Sequence, residues 1–372
     1  MTYKKTLLSL FIIILLLSCG QTNKNEEYGT DGYSGATKKS LIHYEEEKHL
    51  NNIRQLTFGG DNAEAYWSFD DSKLVFQATN PQWETSCDQI YYTNWKSSQM
   101  DSIPPMMIST GMGRTTCSYF LPGDSTVVYA STHLSDKACP PKPEKRDDGK
   151  YVWPIYSGFD IFVTDLEGHI QNQLTDFEGY DAEATVSPQG DKIVFTSMRT
   201  GDLELFTMNI DGTDVQQITN ELGYDGGAFF SPDGSQIIFR ASRPKTEEDV
   251  KIYKDLLADE LVMPTEMELY ICNSDGTNLK QLTNLGKANW CPFFLPGGKR
   301  VIFASNHTTE RGFPFNLYLI NTDGTGLEQV TYDGVFDAFP VFSNDGKHLV
   351  FSSNRNNGGG RDTNLFVAEW ID

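Results

Sequence analysis

Glu64 and Glu183 are the residues of this chain whose placement best suits chemistry. Each stands four positions ahead of a turn-opening serine, Ser68 or Ser187, so a repeat that carries both would bring them to one level around a common axis. Two facing carboxylates can hold a cation or share the work of general acid and base. The ordinary alternative is a pair of solvated or salt-bridged glutamates, which the repeat favours. His133 and His307 also occupy equivalent repeat positions, but in units that oppose each other in a six-fold ring. That separation is too wide for one metal unless loops fold inward.

Other catalytic signatures fail on inspection. There is no Gly-x-Ser-x-Gly elbow and no phosphate-binding glycine-rich loop. The Asp-Gly-Thr turns mimic calcium loops, yet windows with Gly212, Gly276 or Gly324 at the sixth place end in Ile218, Leu282 and Val330 instead of Glu. No catalytic residue, metal or cofactor is therefore assigned.

The elements that position these residues repeat six times. A turn opener is followed eight residues later by an aromatic: Ser68 and Phe76, Leu121 and Tyr129, Ser187 and Phe195, Ser231 and Phe239, Leu295 and Phe303, Ser343 and Phe351. Pro, Gly and Asp between them make tight turns, and the alternating Val and Ile that follow make strands. A third strand comes next (Leu205-Phe206-Thr207 is one copy), then a Gln-apolar-Thr signature such as Gln217-Ile218-Thr219. The sixth unit lacks that signature, and an unclaimed copy, Gln55-Leu56-Thr57, lies at the other end. An all-β, six-bladed propeller closed by an N-terminal strand follows, because radial packing covers every blade and the borrowed strand leaves no open edge.

The combination Ser-Pro-Asp-Gly, Ser-x-Arg, Asp-Gly-Thr and Gln-Leu-Thr resembles the WD40-like repeat of the TolB propeller family over residues 53–372. The resemblance implies the fold more than the function. TolB-type proteins carry an α/β domain ahead of the propeller, and here only a tether precedes the blades, so no role of that domain is carried over.

In such blades one face has only tight turns, while the other carries the second-to-third loops. All long insertions fall on the latter: 133–158, 243–266, 306–316 and 354–363. This decorated face is the expected binding face. Asn62, Thr115, Asp181, Asp225, Asn289 and Asp337 border it at the starts of the innermost strands, and Asn80, His133, Arg199, Arg243, His307 and Arg355 at the ends of the second strands. They form either a collar for an anionic or peptide ligand or Asp–Arg pairs that pin the blades together; recurrence favours the pairs. At the level of the two glutamates the ring reads Glu64, Cys117, Glu183, Gly227, Cys291 and Phe339. Trp83, Trp153, Tyr156, Trp290 and Phe313 on this face can stack on a sugar, grip a peptide or pack loops. An amphipathic helix is expected over 247–261, with Thr246 as its cap.

Lys4 and Lys5, the apolar run Leu7 to Leu17 and Ser18-Cys19-Gly20 have the order of a secretory leader, too short to span a membrane. Leu16-Leu17-Ser18-Cys19 resembles a bacterial lipobox, which implies a removed leader over 1–18, an acylated (palmitate-bearing) Cys19 and, with Gly20 following, the outer membrane. Residues 19–52 read as a tether, with Tyr44 to Glu47 a solvated charge run. In an oxidising compartment one bridge among Cys87, Cys117 and Cys139 is expected. With 51 acidic against 30 basic residues the net charge is −21, which excludes a nucleic-acid binder. The expected partner is an envelope protein, a peptide or a glycan, with membrane contact only through the lipid, and the competing class is an oligosaccharide lyase or hydrolase at the channel mouth.

Overall fold

The computed structural model describes residues 42–85, 87–96, 104–144, 146, 149, 151–310 and 312–372. The leader, Cys19 and most of the tether lie outside them. Six four-stranded antiparallel sheets form the blades, with innermost strands Asp61–Trp67, Thr115–Phe120, Asp181–Val186, Asp225–Phe230, Asn289–Phe294 and Asp337–Phe342. In blade six the outer strand is Leu50–Gln55, paired with Asn364–Trp370 from Leu50 opposite Trp370 to Gln55 opposite Phe366.

Each sequence signature has a physical task. The aromatic after each turn faces an aromatic on the third strand, ring centroids 5.7–6.3 Å apart: Phe76 with Tyr91, Tyr129 with Phe162, Phe195 with Phe206, Phe239 with Tyr270, Phe303 with Tyr318 and Phe351 with Phe366. Such directly opposed pairs hold neighbouring strands together and fill the blade core. The threonine of Gln-x-Thr accepts the backbone N–H that opens the third strand, as Thr219 does from Leu205 at 2.9 Å and Thr283 from Leu269 at 2.8 Å. Thr57 does the same for Leu365 at 2.9 Å, so the N-terminal copy completes blade six. Serine at the turn opener accepts the N–H that leads into the second strand, for example Lys192 to Ser187 at 3.1 Å.

Two N-terminal details differ from expectation. The closing strand starts at Leu50, ahead of the expected boundary at 53, and Glu47 is buried instead of solvated. Its carboxylate meets Arg355 through Nη2 at 2.8 Å and Nη1 at 3.1 Å, and accepts the Tyr332 N–H at 3.2 Å. Tyr44 adds a 2.5 Å hydrogen bond to Asp333. The stretch from Tyr44 to His49 thus lies in the seam between blades five and six.

The helix runs Glu247–Ala258, started by a capping box in which Thr246 and Asp249 satisfy each other's backbone N–H. It stops short of Leu261 because Leu261–Val262 forms a strand with Trp153–Pro154 from the blade-two insertion, Val262 facing Trp153. The insertions of blades two and four therefore meet in a short ribbon on the decorated face. Among the described residues, no helix is long and apolar enough to cross a membrane.

Candidate functional site in the central channel

Every innermost strand has a bulge at the same place, and each residue ending the first half of that strand has a left-handed backbone: Glu64, Cys117, Glu183, Gly227, Cys291 and Phe339, with φ between 43° and 60°. A bulge re-aims a side chain, here toward the axis. Left-handed geometry strains a non-glycine residue, so its recurrence in five such residues marks a position the ring over-determines. The structure thus brings Glu64 and Glu183 to one level, as the spacing implied.

The two carboxylates have different surroundings. Glu183 is buried and saturated: its Oε1 accepts from Arg240 at 2.9 Å and from the Tyr224 hydroxyl, and its Oε2 from the Gly227 N–H at 2.5 Å and Thr196 at 3.1 Å. Glu64 accepts from the Cys117 thiol at 2.9 Å and the Tyr66 hydroxyl at 3.4 Å, with part of its surface open. Burial pushes its carboxyl up to about 7 against the Cys117 hydrogen bond, the Glu183 charge adding to the rise and Arg240 opposing it. Glu64 is thus a proton-holding group near neutrality, whereas Glu183 is ion-paired with Arg240. Burial raises the Cys291 thiol to about 12 and that of Cys117 well up, so both are uncharged.

One level toward the plain face, Tyr66, Tyr119, Phe229 and Phe293 close the channel in a chain of ring contacts of 5.1–5.9 Å. A basin of about 180 Å³ remains beyond them, among Pro188, Pro232, Pro296 and Asn344 of the plain-face turns. On the decorated side Trp153 lies over Arg240, 5.5 Å from ring centre to guanidinium carbon, and packs on Trp290 at 5.1 Å. Trp290 in turn stacks on Phe315 and donates to the Pro264 carbonyl at 3.0 Å. Outside the ribbon a cleft of about 670 Å³ opens between the two insertions, lined by Pro141, Lys142, Pro154, Tyr156, Glu260 and Leu261 among others.

The collar residues are engaged in structure. Arg199 donates to Asp181 at 2.8 Å, Arg243 bonds Asp225 and Arg355 meets Asp337 at 3.1 Å, each pair within one blade instead of between blades. All three aspartates are fully buried at the top of an innermost strand. His133 and His307 bond the serine two residues back, Ser131 at 2.9 Å and Ser305 at 2.8 Å, and rest on Phe162 and Tyr318. Burial lowers both imidazoles, which favours the neutral ring. The structure bonds Cys87 to Cys139 and leaves Cys117 as a thiol in the channel. Among the described residues no three His, Cys, Asp or Glu side chains cluster as metal ligands. Trp83 packs against Phe76 and Tyr91, and Phe313 is exposed.

Sequence reasoning missed Arg240, Tyr224, Glu47 and Tyr180, whose hydroxyl donates to Glu183 Oε1 at 3.5 Å. A signal for Arg240 was present: the place after the repeat aromatic holds Gln77, Ala130, Thr196, Ala304 and Ser352 in the other blades, and its single charge faces the single glycine of the inner ring.

Fold and site together define a six-bladed propeller with a polar, largely closed channel and one elaborated face. Residues 151–258 match the family model PD40, TolB beta propeller domain. It is similar to a putative TolB from Agrobacterium tumefaciens, with 17% identity and a TM-score of 0.52 over 84% of this chain and 91% of that one. An oligogalacturonate lyase in complex with manganese is similar at 13% identity and a TM-score of 0.51, over 88% and 96%. At these identities the likeness concerns the fold. No curated protein matches by sequence.

Proposed function

We propose that this chain is a lipid-anchored cell-envelope propeller that binds an envelope protein, a peptide or a glycan through its decorated face without catalysing a reaction. In this reading residues 1–18 are removed, Cys19 is acylated, and the chain is held at the outer membrane, facing the periplasm or the cell surface. The TolB-type fold supports a binding or scaffold role. The observation that carries the reading is the cleft of about 670 Å³ between the two insertions, whose walls mix prolines and Tyr156 with Lys142 and Glu260. Of the collar, Arg199, Arg243 and Arg355 keep their aspartates paired and frame this face instead of contacting ligand. The channel residues Glu64 and Glu183 lie beneath the ribbon.

A photo-crosslinking residue at Lys142, used in intact cells, is expected to capture a partner or a glycan that the same residue at Gln189 on the plain face does not. Equal capture from both positions counts against the decorated face. The competing reading, an oligosaccharide lyase or hydrolase, draws support from Glu64, a carboxyl poised near 7 in the channel, and from the fold shared with a lyase. Turnover of an acidic oligosaccharide that disappears in Glu64→Gln would replace the binding reading with this one.

A further inference from the structure

Asp333 is a half-buried acid with one oxygen unused: Oδ1 accepts from the Tyr44 hydroxyl, while Oδ2 is buried without a hydrogen-bond partner. Its place in the repeat shows what that carboxylate is suited to. In the two other blades that pair an arginine with an aspartate, the residue ten positions before the turn opener lies against the arginine. Phe177 is 5.7 Å from Arg199, ring centre to guanidinium carbon, and Glu221 bonds Arg243 at 3.2 Å. Asp333 holds the same position for Arg355, yet in blade six it is Glu47 that takes the arginine.

The guanidinium has no donor left for a second acid. Nε donates to Ser353, Nη1 to the Ile42 carbonyl and Glu47, and Nη2 to Glu47 and Asp337, which engages every N–H group it owns. When Tyr44 to Glu47 lift away, the N–H groups facing Ile42 and Glu47 lose their acceptors at a buried site. That loss is costly unless another carboxylate arrives. Asp333 is the neighbour with an oxygen to offer.

We propose that Glu47 and Asp333 are alternative partners of Arg355, and that their exchange docks or releases residues 44–47 as a clasp on the seam between blades five and six. The two states differ in where the N-terminal chain is held. Docked, Ile42 is fixed by an arginine that follows the decorated end of the second strand. Released, the first fixed point is Leu50, opposite Trp370, whose N–H bonds the Lys347 carbonyl in a plain-face turn. The exchange therefore moves the exit of the chain from one face toward the other, with or without a lipid anchor.

Charge sets the balance between the states. Glu47, Asp333 and Asp337 surround the one guanidinium of Arg355. Burial first, then the Asp337 charge, pushes the Asp333 carboxyl up to about 6; the Tyr44 hydrogen bond and Arg355 oppose the rise, and Glu47 adds to it. Tyr332 on the same loop donates its N–H to Glu47, and His43 lies 3.4 Å from the Glu47 carbonyl. Because the carboxyl is raised in the docked state, its contribution to docking is complete below the ordinary value of 3.8 and is lost as pH rises through 6.

Hydrogen exchange of the full chain, read by mass spectrometry over residues 42–49 and corrected for the intrinsic pH dependence of exchange, tests this. Protection of the clasp is expected to fall about tenfold between pH 5 and pH 8. Asp333→Asn should hold it near the pH 5 level throughout, and His43→Gln should leave the fall intact. No fall in the wild type, or a fall that survives Asp333→Asn, overturns the proposal; one abolished by His43→Gln overturns it in favour of the histidine. Melting at pH 8 gives an independent reading through its sign. Asp333→Asn should raise the melting temperature of the wild type but lower that of Glu47→Ala, where Arg355 depends on Asp333, and loss of folding in the double variant alone counts as that lowering. The same sign in both backgrounds overturns the exchange.

Discussion

Arg240 occupies the space that a side chain at residue 227 would fill: a Cβ built on Gly227 would lie 1.8 Å from its Nη1. Every other blade has a side chain at this level of the channel, so the glycine and the arginine act as one unit. The arginine neutralises Glu183 from blade three, and Trp153 and Tyr224 contact its guanidinium at 5.5 Å and 5.0 Å.

Arg240→Met is expected to lower stability by about 3–5 kcal/mol, because it leaves Glu183 buried without its counter-charge. Gly227→Ala should cost about 2 kcal/mol or more, since it adds both a clash and left-handed strain. Combining Arg240→Met with Glu183→Gln should recover most of the first loss. Denaturant unfolding of the three variants reads these differences, and no recovery in the double variant would show that Arg240 acts through packing alone.

Glu64 gives the channel a pH signature. Its folded pKa of about 7 stands above the ordinary glutamate value of 4.5, so the folded state binds the extra proton between those values. Stability from this group is complete below about 4.5 and is lost as pH rises through 7. Glu64→Gln should therefore melt above wild type at pH 8 and level with it at pH 4. Glu204 and Asp160 are raised by burial as well, so the difference between wild type and Glu64→Gln is the quantity to follow. A constant offset across pH contradicts the assignment.

At the ring closure, Arg355 and Glu47 are both fully buried and lie 308 residues apart in sequence. Glu47→Ala should destabilise the fold by about 3–5 kcal/mol, with little dependence on salt because the pair is shielded from water. Since the closing strand follows at Leu50, limited proteolysis of the variant should cut first within residues 42–55. Cleavage first in the blade-two insertion would mean that the strand pairing, not the ion pair, holds the N-terminus.

What could be read from the sequence divides along the same line. Phe195 and Phe206, Ser187 and Lys192, Thr219 and Leu205 are near in sequence; the aromatic pair and the hydroxyl-to-backbone bond recur in every blade and the serine turn in four, so periodicity exposed the sheets, the turns and the inner ring that holds Glu64 and Glu183. Borrowing Gln55-Leu56-Thr57 for blade six was legible because the repeat count demanded it. Glu47 was not, because its neighbours Glu45 and Glu46 are exposed and only a distant arginine distinguishes it. The ribbon escaped for a similar reason. Leu261 fits a helical spacing, and its pairing with Pro154 depends on two non-repeated insertions meeting in space.

The bond between Cys87 and Cys139 joins the blade-one loop to the blade-two insertion that carries Trp153. It closes a loop of 52 residues, so Cys87→Ser should lower stability by about 2–4 kcal/mol. The more informative consequence is local. Pro141 and Lys142 lie two and three residues after Cys139 and wall the cleft, so an unbridged insertion no longer holds that wall in place. Proteolysis should then reach residues 139–152 before any blade strand, and crosslinking from Lys142 should fall severalfold while thermal melting remains cooperative. Crosslinking that survives Cys87→Ser would move the binding surface off the insertion and onto the rigid blades beneath it.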